Sequence, residues 1–278
     1  MRLVMYTIKS TVIHTLAMPF PSTELPVNRF KREIAAGRRQ IGLWSSLASN
    51  VSVEIIAGSG FDWLLLDTEH VANEPPMVLG QLQAATGGTA TPVVRVAWND
   101  AVMIKKHLDL GVQTFLVPYV QNAEEARRAV MATRYPPQGG VRGYASLSRA
   151  NRFGRIPDYF QAAHEQMCVL VQVETRAALR EIAEIAAVPG VDGIFVGPGD
   201  LSSDMGYLGN PSHPEVLEAI AWAIARIKAA GKPAGVLTSV EAEIHRWLEA
   251  GALFVAVGSD VGILARGSEA LAAKYQAR

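Results

Sequence analysis

Eight short, nearly continuous apolar runs alternating with helix-like intervals predict an α/β chain folded as a single (β/α)8 TIM barrel. Two further observations agree. The chain has 278 residues, and barrels of this type run to about 250 residues. Hydrophobic residues make up 49% and charged residues 19%, a balance that sustains a large core and excludes a disordered or collagen-like chain.

The apolar runs cover 40–47, 62–67, 92–96, 113–118, 167–174, 191–198, 233–238 and 253–258. They do not alternate with polar residues, which is the pattern of parallel strands covered on both faces. Residues 101–110, 123–133, 177–187, 214–230 and 240–250 read as the helices between them. In 123–133, Glu124, Glu125, Arg127 and Arg128 take the solvent side, and Gly111, Gly190, Gly231 and Gly251 stand where helix C-caps belong. Right-handed crossovers then close the sheet. An open doubly wound sheet is the competing architecture, but no G-x-G-x-x-G follows any run.

Residues 135–160, rich in Pro, Gly and Arg, break this rhythm and are too long for a connector. They read as a functional or interfacial insertion on the mouth side, following the fourth strand. An ordered surface insertion is the plain alternative. Residues 1–27 read as a peripheral extension and 28–278 as one catalytic barrel. The first 20 residues make a poor signal peptide, interrupted by Lys9, Ser10 and His14, and Met18 offers a later start.

Lys+Arg and Asp+Glu both number 26, so neither a nucleic-acid nor a membrane-surface partner is expected. No apolar run reaches the length of a membrane span. The lone Cys168 excludes a disulfide within the chain, fits a reducing, cytoplasmic setting, and in its MCVLV context reads as a buried inert thiol.

Barrel chemistry sits at the C-terminal ends of the strands. Run two ends in Asp67-Thr68-Glu69-His70, run three contains Arg95, run five ends in Gln172-Val173-Glu174, and run six leads to Gly199-Asp200. Glu174 and Asp200 form a candidate oxygen site for a hard divalent cation, with two solvated or salt-bridged carboxylates as the plainer reading. His70 is a candidate general base, which Asp109 could orient or make more basic. Arg95 would supply a fixed positive charge to a carboxylate or oxyanion, or else a salt bridge to Asp67 or Glu69 inside the barrel. Gln172 shares a strand face with Glu174. None of the seven lysines ends a barrel strand, which disfavours Schiff-base chemistry.

These residues sit in motifs that resemble a known family. IGLW, WLLLDTEH, PVVRVAWND, LDLGVQTFLVPYVQNAEEAR, RYPPQGGVRG, QVET and GPGDLSSDMGYLGNPSHPEV are similar, in order and over residues 28–275, to the metal-dependent pyruvate aldolases of the HpcH/HpaI family. The resemblance implies a barrel enzyme that reversibly cleaves 4-hydroxy-2-oxo acids, foremost 4-hydroxy-2-oxoheptanedioate, to pyruvate and an aldehyde, succinate semialdehyde. It implies His70 as general base, Arg95 as transition-state stabiliser and Asp109 as the group raising the basicity of His70. Gln172, the Gly199 backbone and Asp200 would hold the 2-oxo acid. Glu174 and Asp200 would bind Mg2+, Mn2+ or Co2+, with Asp67 ordering water near the metal. The implied assembly is a homo-hexamer, a dimer of trimers with swapped C-terminal helices.

The chain departs from the family pattern at GPGDLS for GPADLS, at DTEHVAN for DGEHAPN, at Ser45-Ser46 for Leu-Gly, and in RGYASLSRANRFG. These departures leave the acceptor open. A 2-keto-3-deoxy sugar-acid aldolase of glucarate or rhamnonate type is the alternative enzyme. A non-catalytic 2-oxo-acid-binding barrel is the alternative outside enzymes.

Overall fold

A computed structural model of the chain describes residues 23–276. The elements are α1 (Arg29–Ala35), β1 (Gln40–Ser45), α2 (Asn50–Ala57), β2 (Trp63–Asp67), α3 (Pro75–Ala85), β3 (Thr91–Arg95), α4 (Ala101–Asp109), β4 (Thr114–Val117), α5 (Ala123–Thr133), α6 (Tyr159–Gln166), β5 (Cys168–Val173), α7 (Arg176–Arg180), α8 (Ile182–Ala186), β6 (Val191–Val196), α9 (Pro198–Asp204), α10 (Pro214–Ala229), β7 (Ala234–Leu237), α11 (Glu241–Ala250), β8 (Phe254–Ser259) and α12 (Asp260–Gln276). The strands pair in sequence order, all parallel, and β8 closes on β1. This is the predicted (β/α)8 barrel. The predicted helix at 177–187 divides at Glu181 into α7 and α8.

The unbroken apolar runs follow from burial on both strand faces. Trp63, Leu65, Val93, Leu116, Leu170, Phe195 and Phe254 point into the barrel. Leu64, Leu66, Val94, Phe115, Val169 and Val171 point outward against the helices. Cys168 lies fully buried in the interior layer, and burial pushes its thiol well above the usual range, as an inert thiol requires. At the N-terminal end of the barrel, α1 forms a plug. Its Phe30 ring lies 5.7 Å from Trp63 and 5.8 Å from Phe254. The Asn28 side chain caps α1 and also donates to Thr114 Oγ1 at 2.9 Å, tying the plug to β4. Residues 1–22 of the expected extension, Met18 included, lie outside the described residues.

Gly42 and Gly235 are required by this interior. A Cβ on Gly42 would meet the indole of Trp63, and one on Gly235 the ring of Phe254. Either glycine-to-alanine change should lower stability by about 1–3 kcal/mol, read as a lower urea midpoint with an unchanged slope.

The insertion between α5 and α6 is not at the mouth, which corrects the expectation for 135–160. Each barrel helix runs back against its strand, so α5 delivers the chain to the N-terminal end. There Arg149 Nη1 donates to Leu110 O at 2.5 Å, just past the end of α4, and Arg142 N to Arg134 O at 2.8 Å. Arg142 is buried over the Tyr135 ring at 4.5 Å and donates to Tyr159 OH at 2.9 Å. Within one chain, the sequence departures in this segment therefore do not line the mouth.

Candidate active site

The C-terminal ends of β2, β3, β5 and β6 converge on one mouth. Asp67 and Arg95 are the last residues of β2 and β3 and are register partners. Arg95 donates from Nε to Asp67 Oδ1 at 2.9 Å and from Nη2 to Asp67 Oδ2 at 2.6 Å, a fork-on-fork pair. Its Nη1 lies 2.8 Å from Glu69 Oε2. The guanidinium also sits over the Trp44 ring, 4.9 Å from its centroid, and Trp44 Nε1 donates to Asp67 Oδ2 at 3.3 Å. Arg95 thus makes the interior salt bridge, to Asp67 and Glu69 alike, and also lines the mouth. Burial alone would raise the Asp67 carboxyl, but the Arg95 hydrogen bonds and charge outweigh it and hold the group below the usual range.

Glu174 follows β5 and is 1% exposed. Its Oε1 accepts the Tyr119 N–H at 2.8 Å, and its Oε2 accepts from Gln172 Nε2 at 2.6 Å. Gln172 and Glu174 share a face as the strand period dictates. Tyr119 reaches Glu174 from the left-handed region, at φ +53°, where a bulky residue costs about 1–3 kcal/mol. Its ring stacks on Trp98, centroids 5.7 Å apart. Gly197 is needed beside them, since a Cβ there would run into the Glu174 carboxylate. Burial first, and then the negative charges of Asp200 and Glu69, push the Glu174 carboxyl up to about 7 against the pull of its two hydrogen bonds.

Asp200 lies in the first turn of α9 rather than on the strand. With His70, Arg95, Gln172, Glu174 and Gly199 it lines a cavity of about 220 Å³. A Cβ at Gly199 would point into open space. The His70 Nε2 is 3.8 Å from Glu69 Oε2, and its side chain is 63% exposed.

The donor set fits a hard divalent cation. Three carboxylates, Glu69, Glu174 and Asp200, act on one another, and burial raises the first two. Of the nearby cations, Arg95 is committed to Asp67 and Glu69. The Gln172 Oε1 is buried without a partner. Among the described residues no three His, Cys, Asp or Glu form a ready-made metal cluster. Two carboxylates with the remaining positions left to water and substrate are the sparse oxygen set that Mg2+ or Mn2+ accepts.

Asp109 is not brought to His70 within one chain. It is the last residue of α4, and α4 starts at the mouth and runs to the opposite end. Asp109 lines a groove there with Gln83, Tyr144 and Phe153. Its Oδ1 is buried without a partner, and burial raises its carboxyl.

Sequence reasoning gave Glu69 only the role of a possible partner of Arg95, and none to Trp44 or the Tyr119 N–H. Trp44 could have been found as the aromatic next to the end of β1. Nothing in the local sequence signals the positive φ of Tyr119.

Residues 40–266 match the family described as HpcH/HpaI aldolase/citrate lyase. The chain is 58% identical over 252 residues to a 4-hydroxy-2-oxo-heptane-1,7-dioate aldolase of Shigella sonnei, covering 90% of this chain and 96% of that protein. The same identity and coverage hold for the Escherichia coli protein of that name. Among solved structures, an HpcH/HpaI aldolase/citrate lyase family protein from Burkholderia cenocepacia superposes with a TM-score of 0.86 at 37% identity, covering 89% of this chain and 99% of that one. By fold and sequence, the chain belongs to the HpcH/HpaI aldolase/citrate lyase family.

Proposed function

We propose that this protein is a divalent-metal pyruvate aldolase that reversibly cleaves 4-hydroxy-2-oxoheptanedioate to pyruvate and succinate semialdehyde. The observation that carries the reading is Glu174, a buried carboxylate fixed by Tyr119 and Gln172 beside Asp200, in a small cavity that also holds His70 and Arg95. The names of the 58%-identical relatives support the same reaction and substrate.

Glu174 and Asp200 would hold the cation, Mg2+, Mn2+ or Co2+. When bound, it supplies Lewis-acid stabilisation of the 2-oxo acid and its enolate. His70 Nε2 takes the proton of the 4-hydroxyl, the C3–C4 bond breaks, and the aldehyde leaves. Arg95, held rigid by Asp67 and Glu69, presents its guanidinium to the developing enolate oxygen. Gln172 and the Gly199 backbone orient the carboxylate end of the 2-oxo acid. A proton returned to the enolate carbon completes pyruvate.

His70 stands open to solvent in the isolated chain, whereas Asp109 is at the far end of α4 with an unpaired buried oxygen. Their pairing therefore requires a second subunit. We place the enzyme in a homo-hexamer in which Asp109 of one chain raises the basicity of His70 in the next. Exposed Leu264, Leu271 and Tyr275 on α12 suit the swapped helices of such an assembly.

A second reading, a sugar-acid aldolase, is favoured by one observation. The larger cavity next to the site, about 770 Å³, is lined by the hydroxyl-bearing Ser46, Ser212, Thr238, Ser239 and Ser259. The test of the main reading is cleavage of 4-hydroxy-2-oxoheptanedioate, followed as pyruvate release with Mg2+ or Mn2+ and with EDTA. Turnover that exceeds cleavage of 2-keto-3-deoxyglucarate by tenfold or more supports it. The reverse preference selects the sugar-acid reading.

A further inference from the structure

The small and large cavities adjoin, with Trp44, Arg95, Pro198, Gly199 and Leu237 lining both. If the 2-oxo acid fills the small one, the acceptor aldehyde extends into the large one. The positive side chains lining the large cavity are Arg95 and Arg266. Arg95 has Nε, Nη1 and Nη2 committed to Asp67 and Glu69. Arg266, on α12, has a side chain that is 76% exposed, and its ion-pair partner among the described residues is Glu269, three residues on in the same helix, at 2.8 Å. An exposed i,i+3 pair of this kind is weak and screened, so the guanidinium can turn to a better partner. The cavity also holds Glu243, but its two carboxylate oxygens already accept the hydroxyls of Ser212 and Thr238, each at 2.6 Å.

We propose that Arg266 binds the distal carboxylate of the acceptor aldehyde and so selects an anionic acceptor over a neutral one of the same length. The proposal rests on the aldolase reading above. A planar guanidinium recognises a carboxylate in two-point fashion and keeps its charge at any working pH. Its position on α12 separates this selection from the pyruvate chemistry at the strand ends. One face of the cavity thus reads charge, while Glu243 opposes an anion placed on the wrong side.

The test compares succinate semialdehyde with butanal as acceptors for pyruvate, using the full-length enzyme with Mg2+ or Mn2+. Arg266→Gln should lower the ratio of kcat/KM for succinate semialdehyde to that for butanal by roughly 10- to 100-fold, mostly through KM. Arg266→Lys should fall between, since it keeps the charge without the fork. Glu269→Gln, which removes only the outer partner, is the control and should hold the wild-type ratio. A ratio in Arg266→Gln within twofold of wild type overturns the proposal, as does an equal loss with both aldehydes. Wild-type protein that fails to exchange the methyl protons of pyruvate with solvent would instead overturn the aldolase reading itself, and the proposal with it.

Discussion

Glu174→Gln should reduce metal-dependent turnover to background and weaken Mn2+ binding by at least roughly 100-fold, while leaving the barrel folded. The amide oxygen can still accept the Tyr119 N–H, and the side chain fits the space that Gly197 leaves. The same substitution should stabilise the metal-free protein at alkaline pH. The folded-state carboxyl of Glu174 is raised to about 7 by burial and by Asp200 and Glu69. A carboxyl raised on folding is penalised once pH exceeds its unfolded value, and the penalty grows until pH passes the folded value. Metal-free wild type should therefore lose stability between the ordinary carboxylate range and about 7. Glu174→Gln should lose less. Thermal unfolding in EDTA at about pH 5 and about pH 8 measures the difference, which should be near zero at the lower pH and favour the variant at the higher. Mn2+ titration by water-proton relaxation measures the loss of binding. A variant that binds Mn2+ as wild type does would remove Glu174 from the metal site.

Arg95→Met should be the most damaging single change to the fold of the mouth. It strands the Asp67 and Glu69 carboxylates, both near or below a tenth exposed, without their shared cation. Removing one partner of a buried ion pair costs about 3–5 kcal/mol, because the remaining charge is left uncompensated. The sign of the pH dependence is diagnostic. In wild type the Asp67 carboxyl is held below its usual range, so its contribution is present at neutral pH and is lost as pH falls through that lowered value. In the variant both carboxyls should be raised, so the stability deficit should shrink as pH falls toward them. Urea unfolding at neutral and acid pH reads this directly. Where the variant remains folded, loss of a preorganised donor should cut kcat by roughly 100- to 1,000-fold. A deficit that is constant with pH would mean that Arg95 stabilises the site by packing on Trp44 rather than by pairing.

The barrel was legible because its strands are doubly buried. Leu64-Leu65-Leu66 and Val169-Leu170-Val171 are apolar at every position, since one set fills the interior and the other meets the helices. Helix ends were legible for a similarly local reason: Gly111, Gly231 and Gly251 all have φ between +73° and +92°, the conformation that caps a helix with least cost in glycine, whereas Gly190 stands in the turn four residues past the end of α8, directly before β6, and Ala187 takes the C-cap there. His70, Arg95, Gln172, Glu174 and Asp200 could be placed together because each follows or ends a strand, and strand ends in a barrel share one mouth. What failed was depth along the helices. Asp109 and the insertion at 135–160 follow their strands in sequence, but α4 and α5 carry them to the other end of the barrel. Backbone strain was also invisible, because Tyr119 is not a residue type that favours the left-handed region in which its N–H meets Glu174 and its ring stacks on Trp98.

Enolate formation at the mouth is tested most directly by proton NMR of pyruvate in D2O with the purified protein. The methyl signal reports exchange whichever aldehyde the enzyme uses. The structure predicts loss of the methyl protons with Mg2+, Mn2+ or Co2+, none with EDTA, and none with Glu174→Gln. Folded wild-type protein that leaves the methyl protons in place with every one of these metals would contradict the account.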